Sequence, residues 1–174
     1  MSNQLAYINF IPENREMFAL KVTEIANRLG IQANWLMIVF FIETGAAVYG
    51  KINHRIKNAL GATGLLQFMP RTLLSMGLTS EAICNMTNVQ QLEVVYRYLA
   101  PYAGRIKSLS DCYLAVLFPV AIGKPDQFVL QTSNLSAQKV ARWNPLYDLN
   151  KDMQITVGEV KAKLKTFIPP GLAA

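Results

Sequence analysis

The chain has 174 residues, of which 52 % are hydrophobic and 16 % charged, with a formal net charge of +6. This composition excludes a disordered chain and predicts one globular domain with a core of its own. The positive charge favours an anionic partner: nucleic acid, an acidic membrane face or a carboxylate-bearing polymer. The two cysteines, Cys84 and Cys112, do not make a disulfide scaffold, and we expect two reduced core thiols.

Capping signals and helical spacing of apolar residues predict a succession of short helices. We expect Gly30 to cap the first helix, Asn34 to begin the second and Ser110 to begin the sixth. Thr87 and Gln90 form a capping-box pattern for the fifth. Apart from a short extended piece around Gln154 and Ile155, no β-alternation is present. The expected helices are Pro12–Arg28, Trp35 to about Thr44, Pro70 to about Met76, a short helix from Glu81, one after Thr87 ending at Pro101, Asp111–Phe118, Pro125–Leu130, Ser136–Trp143, and Val157 to before Pro169.

The predicted class is therefore all-α, with a single domain over residues 1–174 and residues 134–174 as a C-terminal helical extension. The N-terminus shows neither the basic nor the apolar region of a secretory signal. The longest apolar run, Trp35 to Ile42, is too short to span a bilayer, so we expect no membrane insertion.

Glu43 ends that apolar run and is the only acidic residue between Glu24 and Glu81. A carboxyl buried among apolar groups tends to keep its proton, as a general acid must. Two-carboxylate glycosidases need a second acid at a fixed distance, so an isolated acid implies another scheme. The alternative is a helix-end carboxylate paired with Lys51 or Arg55.

A glycine-bracketed segment, residues 61–70, follows Glu43 and decides between these interpretations. It reads Gly-Ala-Thr-Gly-Leu-Leu-Gln-Phe-Met-Pro. With Glu43-Thr44-Gly45 before it, it resembles the signature of the soluble lytic transglycosylase family, Gly-Ala-x-Gly-Leu-x-Gln-x-x-Pro-x-Thr after a Glu-Ser pair. Phage members often carry Glu-Thr and Gln-Phe-Met-Pro, as here. Taken singly, the glycines could be plain turn residues and Gln67 a solvated one.

The resemblance implies a lysozyme-like fold and cleavage of peptidoglycan between N-acetylmuramic acid and N-acetylglucosamine, with a 1,6-anhydro product. Glu43 would protonate the glycosidic oxygen and then accept the proton of the C6 hydroxyl, and no cofactor would be required. The implied substrate-binding residues are Gly64, Leu65, Gln67, Met69, Tyr96 and Phe118. The family's later Tyr-Asn pair is missing; Phe118 or Leu117 stands there, and Tyr96, Tyr98 or Tyr113 could replace the tyrosine.

The loop after Glu43 carries a cationic cluster of Lys51, His54, Arg55 and Lys57. It could steer peptidoglycan by its peptide carboxylates or be an ordinary solvated loop. His54 lacks the neighbours of a zinc site. Nucleic acid is not the expected partner, because the basic residues are not interleaved with aromatic ones on one face.

Residues 148–159 fit the EF-hand calcium loop at positions 1, 3, 5, 8 and 12, although Met153 replaces the glycine at position 6. A structural calcium ion would be held by Asp148, Asn150, Asp152, the Gln154 carbonyl, Thr156 through water, and Glu159. The alternative is a degenerate loop in which Thr156 and Glu159 only cap the last helix.

Three functions remain open from the sequence. The first is a lytic transglycosylase, made without a signal in a phage-infected cell and acting on the wall as a virion-associated or holin-released endolysin. The second is a hydrolytic muramidase using the same Glu43, and the third is a non-enzymatic virion or wall-binding protein. We expect a monomer or a virion component.

Overall fold

Residues 5–172 are described by a computed structural model, and they form helices and turns joined by a few isolated β-bridges. The predicted all-α class is confirmed. Contacts within the chain group residues 1–104 and 105–174 into two compact units. The predicted single domain with an extension from residue 134 stays a prediction.

The helices of the first unit are α1 to α6. Short 3-10 turns at Ile8–Phe10 and Ala100–Arg105 lie outside them. The bounds are α1 Arg15–Leu29, α2 Ala33–Glu43, α3 Ala46–Tyr49, α4 Pro70–Ser75, α5 Ser80–Asn85 and α6 Asn88–Leu99.

Helix α2 is the centre of the first unit because its sequence is apolar on every side. Residues 36–41 are all buried, and α1 packs against both α2 and α6. At one end, Tyr7 stacks on Phe41 with ring centroids 3.7 Å apart, and Phe10 meets the same ring edge-on at 5.1 Å. A helix enclosed in this way holds its last residue, Glu43, in a fixed place.

The second unit contains α7 Leu109–Leu117, a 3-10 turn at Pro119–Ala121, α8 Ala137–Trp143 and α9 Val157–Lys165. Helix α7 packs against α9. Thr156, next to the predicted extended piece, pairs in an antiparallel bridge with Val129, and the Leu130 amide donates to the Ile155 carbonyl at 2.8 Å.

Most capping predictions are confirmed. Gly30 ends α1 with φ +68°, the Thr87–Gln90 capping box begins α6, and Thr156 with Glu159 begins α9. The cysteines are unbridged; Cys112 is buried, which raises the pKa of its thiol to about 12, and Cys84 is half-buried.

Four local predictions were wrong for identifiable reasons. Pro12 lies outside α1, which begins at Arg15 after Asn14 in a left-handed conformation. Asn34 lies inside α2 and its Oδ1 accepts the Ala6 amide at 2.8 Å, a long-range bond that local pattern cannot reveal. Ser108, not Ser110, accepts the Asp111 amide at the start of α7. Residues 125–130 form turns and the bridge to Thr156 instead of a helix.

Within residues 5–172, no single helix is long and apolar enough to cross a membrane, although α1 and α2 together reach that length and composition around a 113° bend.

Candidate functional site

Glu43 is the last residue of α2 and is partly exposed, so the carboxylate is less buried than the apolar run before it suggests. Thr44, completely buried, donates its hydroxyl to the Phe40 carbonyl at 2.7 Å and closes the helix. Gly45 then turns the chain with φ +63°. The sequence therefore places one carboxyl at the edge between a rigid core helix and solvent.

Tyr98 of α6 connects Glu43 with the glycine-bracketed segment. Burial, the neighbouring Tyr102 and the charge of Glu43 raise the pKa of Tyr98 to about 12. The Tyr98 ring meets Phe68 edge-on with centroids 5.5 Å apart, and Tyr102 at 6.4 Å. The acid, the segment around Phe68 and two tyrosines thus share one neighbourhood of the first unit.

The glycine-bracketed segment is a compact double turn. The Thr63 and Phe68 backbones exchange two hydrogen bonds at 3.0 and 2.9 Å, and Asn58 Oδ1 accepts the amides of Leu60 and Ala62. Gly64 has φ +84°, and an added Cβ would lie 2.8 Å from both Gln91 Oε1 and Ile83 Cγ2. Glycine is therefore required at 64 by backbone conformation and by space.

Gln91, buried on α6, fastens this segment to two other parts of the first unit, and sequence reasoning missed it. Its Oε1 accepts the Leu65 amide at 3.1 Å, while its Nε2 donates to the carbonyls of His54 at 2.6 Å and Ile83 at 2.9 Å. A glutamine in an amphipathic helix usually faces water, so the only available signal was its place among apolar residues, beside Leu92.

Gln67 is not a solvated surface residue. It is half-buried, adopts φ +47°, and donates both amide hydrogens to its own loop, to Ile56 O at 3.2 Å and Gly64 O at 3.1 Å. Its Oε1 accepts no hydrogen bond from residues 5–172. Gln67 thus offers a fixed acceptor to a hydroxyl or amide of a ligand.

The other predicted substrate-binding residues lie in different surroundings. Leu65 buries its side chain completely and donates its amide hydrogen to Gln91, whereas Met69, before α4, is 46 % exposed.

Tyr96 lies under Arg28, whose guanidinium carbon is 3.8 Å from the ring centroid. Residues two apart on a helix do not share a face, so Tyr98 rather than Tyr96 faces the Glu43 neighbourhood. Phe118 is buried after α7, in the second unit.

The cationic loop divides into an exposed part and a buried histidine. Lys51, Arg55 and Lys57 are exposed, and Arg55 Nη1 pairs with Glu13 Oε1 at 3.1 Å. His54 is 1 % exposed, and its Nε2 lies 3.5 Å from Glu13 Oε1, too far for a good hydrogen bond. Burial, helped by the charge of Arg55 and opposed by Glu13, lowers the pKa of His54.

The 148–159 loop adopts the backbone of its motif without the glycine. Lys151 and Met153, at positions 4 and 6, have φ of +61° and +65°. Asp148 Oδ2 accepts the Met153 amide at 3.2 Å, and Asp152 Oδ1 accepts the Gln154 amide at 2.9 Å. Asp148 Oδ1 is buried without a hydrogen-bond partner.

Both carboxylate oxygens of Glu159 accept hydrogen bonds from residues of the same loop. Its Oε2 accepts both the amide and the hydroxyl of Thr156 at 2.9 Å, and its Oε1 accepts the Leu149 amide at 3.0 Å. In residues 5–172, no group of three or more His, Cys, Asp and Glu side chains is positioned to hold a metal ion. The capping box is confirmed, and calcium stays a prediction.

Comparison with known proteins gives no match: no family model, curated protein or solved structure is significantly similar to this chain.

We predict that Gln91→Leu destabilises the protein by about 2 kcal/mol or more, because it leaves the Leu65 amide and the His54 carbonyl without partners, whereas the Ile83 carbonyl keeps the Met86 amide. Urea unfolding measures the loss. The control is Gln90→Leu, one residue earlier and exposed, which should cost about 1 kcal/mol through the capping box alone. Equal losses in the two variants would contradict the fastening role of Gln91.

We predict that stability falls as the pH drops from 7.5 to 5.5. The pKa of His54 is lower in the folded protein than in the unfolded chain, so the unfolded chain binds the proton more readily. The contribution of neutral His54 to stability is therefore complete above the unfolded pKa near 6.5, and it is lost as the pH falls below that value. His54 is the chain's only histidine. His54→Gln should therefore flatten a slope of at most about 1.4 kcal/mol per pH unit in the unfolding free energy. Parallel slopes for both proteins would refute the assignment.

The calcium prediction is tested by thermal unfolding with and without Ca²⁺. An ion that binds only the folded loop stabilises it by about 2.7 kcal/mol at 100 times its dissociation constant. Met153→Gly, which suits the positive φ, should strengthen the effect, and Asp148→Asn should weaken it. If the thermal unfolding midpoints of the parent protein and both variants did not change with Ca²⁺, the calcium prediction would be wrong and the loop would only cap the last helix.

Proposed function

We propose that this chain is a peptidoglycan lytic transglycosylase with a lysozyme-like fold, in which Glu43 is both general acid and general base. The observation that carries the proposal is the shared neighbourhood of Glu43, Tyr98 and Phe68. Through Tyr98, it places Glu43 in the same neighbourhood as the segment that resembles the family signature.

Glu43 suits the acid role by its place on α2. The C-terminal end of a helix carries a partial negative charge, which disfavours a second negative charge there. Partial exposure leaves room for a glycosidic oxygen to approach within hydrogen-bonding distance. A neutral carboxyl at the rim of the core can therefore deliver its proton to a bound glycan.

The proposed reaction consumes no water. Glu43 gives its proton to the glycosidic oxygen as the bond from that oxygen to C1 of the muramoyl residue breaks. The carbonyl oxygen of the muramoyl N-acetyl group bonds to C1 from the opposite side. The ionised Glu43 then removes the C6 hydroxyl proton, and O6 bonds to C1 and displaces the N-acetyl oxygen. The product is a 1,6-anhydro sugar, and Glu43 is protonated again.

Gln67 and the cationic loop would act in binding. Gln67 Oε1 is an acceptor fixed by two bonds to its own loop, so it can orient a sugar hydroxyl or amide at little entropic cost. Lys51 and Lys57 are exposed and suit the carboxylates of the peptide stems. Phage-borne action on the wall, as a virion component or a released endolysin, belongs to the same proposal.

The decisive variant is Glu43→Gln, which keeps the side-chain shape and removes the transferable proton. We predict a loss of about 10²- to 10⁴-fold in the release of soluble muropeptides from purified peptidoglycan. Glu81→Gln, an exposed acid in the first turn of α5, is the matched control and should keep full activity. Tyr98→Phe retains the ring against Phe68 and should lose part of the activity with a shifted pH profile.

Mass spectrometry of the products separates the remaining functions. Anhydro ends, lighter by one water, support transglycosylation. Reducing ends alone, abolished by Glu43→Gln, would replace the proposal with a hydrolytic muramidase. Undiminished clearance by Glu43→Gln would overturn both enzymatic functions.

A further inference from the structure

One face of α8 combines an exposed aromatic ring with two cations. Lys139, Arg142 and Trp143 stand three and four residues apart, so they project from the same side of the helix. We call them the Trp143 face. The opposite side of α8 is buried in the second unit through Ala137, Val140 and Ala141. The helix is therefore anchored by small residues and presents its large and charged ones outward.

The ring of Trp143 is available for contact. It is 60 % exposed, and Lys139 Nζ lies 4.9 Å from its centroid on one side. The same spacing recurs at Lys124 with Phe128 and Lys163 with Phe167, but both phenylalanines are half-buried. Trp143 is thus the member of this set that offers a broad ring surface to a ligand.

The cations of the Trp143 face are not neutralised within the described chain. Across residues 5–172, neither Lys139 nor Arg142 lies within ion-pairing distance of a carboxylate, and α8 itself contains no acid. By contrast, Lys161 pairs with Asp126 at 2.6 Å. Residues 105–174 as a whole hold nine Lys and Arg against five Asp and Glu. The face therefore favours an anionic ligand.

We propose that the Trp143 face binds an acidic glycan strand and so gives the chain a second point of attachment to the wall polymer. An indole ring stacks on the apolar C–H face of a pyranose, while the two cations pair with carboxylates borne by the strand. The choice of a glycan rests on the proposed function; the need for an anionic, ring-stacking ligand rests on the face itself.

Two other anionic partners fit less well. Single-stranded nucleic acid is held by several aromatic rings that stack successive bases, and this face has one. A membrane surface is bound by helices with a continuous apolar stripe, whereas the apolar side of α8 faces the unit's own core. Both partners enter the experiment as outcomes.

The test is co-sedimentation with purified peptidoglycan sacculi in the Glu43→Gln background, so that the polymer stays intact. We expect Trp143→Ala to weaken retention about tenfold, since truncating an aromatic anchor commonly costs this much, and Trp143→Phe to restore most of it. Lys139→Gln with Arg142→Gln should weaken retention and flatten its salt dependence. The matched control is Lys107→Gln with Lys165→Gln, which removes two exposed charges elsewhere in the same unit.

The controls distinguish this proposal from the enzymatic one. Sacculi whose carboxylates have been amidated should retain the parent protein less and should abolish the effect of the double charge variant. Unchanged retention for Trp143→Ala would overturn the Trp143 face, even if Glu43→Gln abolished cleavage. If Trp143→Ala lost retention while Glu43→Gln left cleavage unchanged, the binding role of the Trp143 face would be supported and the enzymatic proposal would be refuted. Tighter binding to anionic vesicles or single-stranded DNA than to sacculi would also overturn it.

Discussion

The buried amide of Gln91 is the interaction on which the candidate site depends. It meets three separate backbone segments, at His54, Leu65 and Ile83. The Ile83 carbonyl also accepts the Met86 amide at 3.1 Å, whereas the Leu65 amide and the His54 carbonyl are satisfied by Gln91. A buried amide or carbonyl left unpaired costs about 1–3 kcal/mol, so the three bonds fix the relative positions of the segments. Gly64 is part of the same constraint, because the Gln91 oxygen occupies the space that a side chain would need.

This constraint explains why the implied substrate-binding residues of the glycine-bracketed segment divide into two groups. Leu65 and the Gly64 carbonyl are used internally, by Gln91 and Gln67, and shape the segment. Gln67 Oε1 and the exposed Met69 side chain are the groups that the folded segment leaves accessible to a ligand. A sequence signature can therefore contain both residues that stabilise a turn and residues that are available to bind a ligand. The contacts in the structure distinguish the two kinds.

The helices, their caps and the burial of individual side chains followed from the sequence to different extents. Capping boxes and apolar spacing are local, so Thr87 with Gln90 and Thr156 with Glu159 were predicted correctly. Asn34 could not be placed, because its partner is the Ala6 amide 28 residues away. Residues 125–130 look helical alone, but they form a turn and the bridge to Thr156, a partner that is distant in the sequence. The sequence places His54 in a charged loop, which suggests an exposed side chain. It is buried in the structure, because burial depends on packing and not on the neighbours in the chain.

The chemistry proposed for Glu43 needs both protonation states of one carboxyl within a single cycle, and its surroundings favour each state by a different cause. The negative end of α2 favours the neutral acid. Tyr98, whose pKa of about 12 keeps its proton in place at neutral pH, has an O–H to donate, and an O–H donated to a carboxylate favours the ionised form. A second carboxylate would add like-charge repulsion and hold the proton on one of the two acids. The proposed scheme, in which one acid gives up a proton and accepts one back, therefore avoids the repulsion that a pair of acids would introduce.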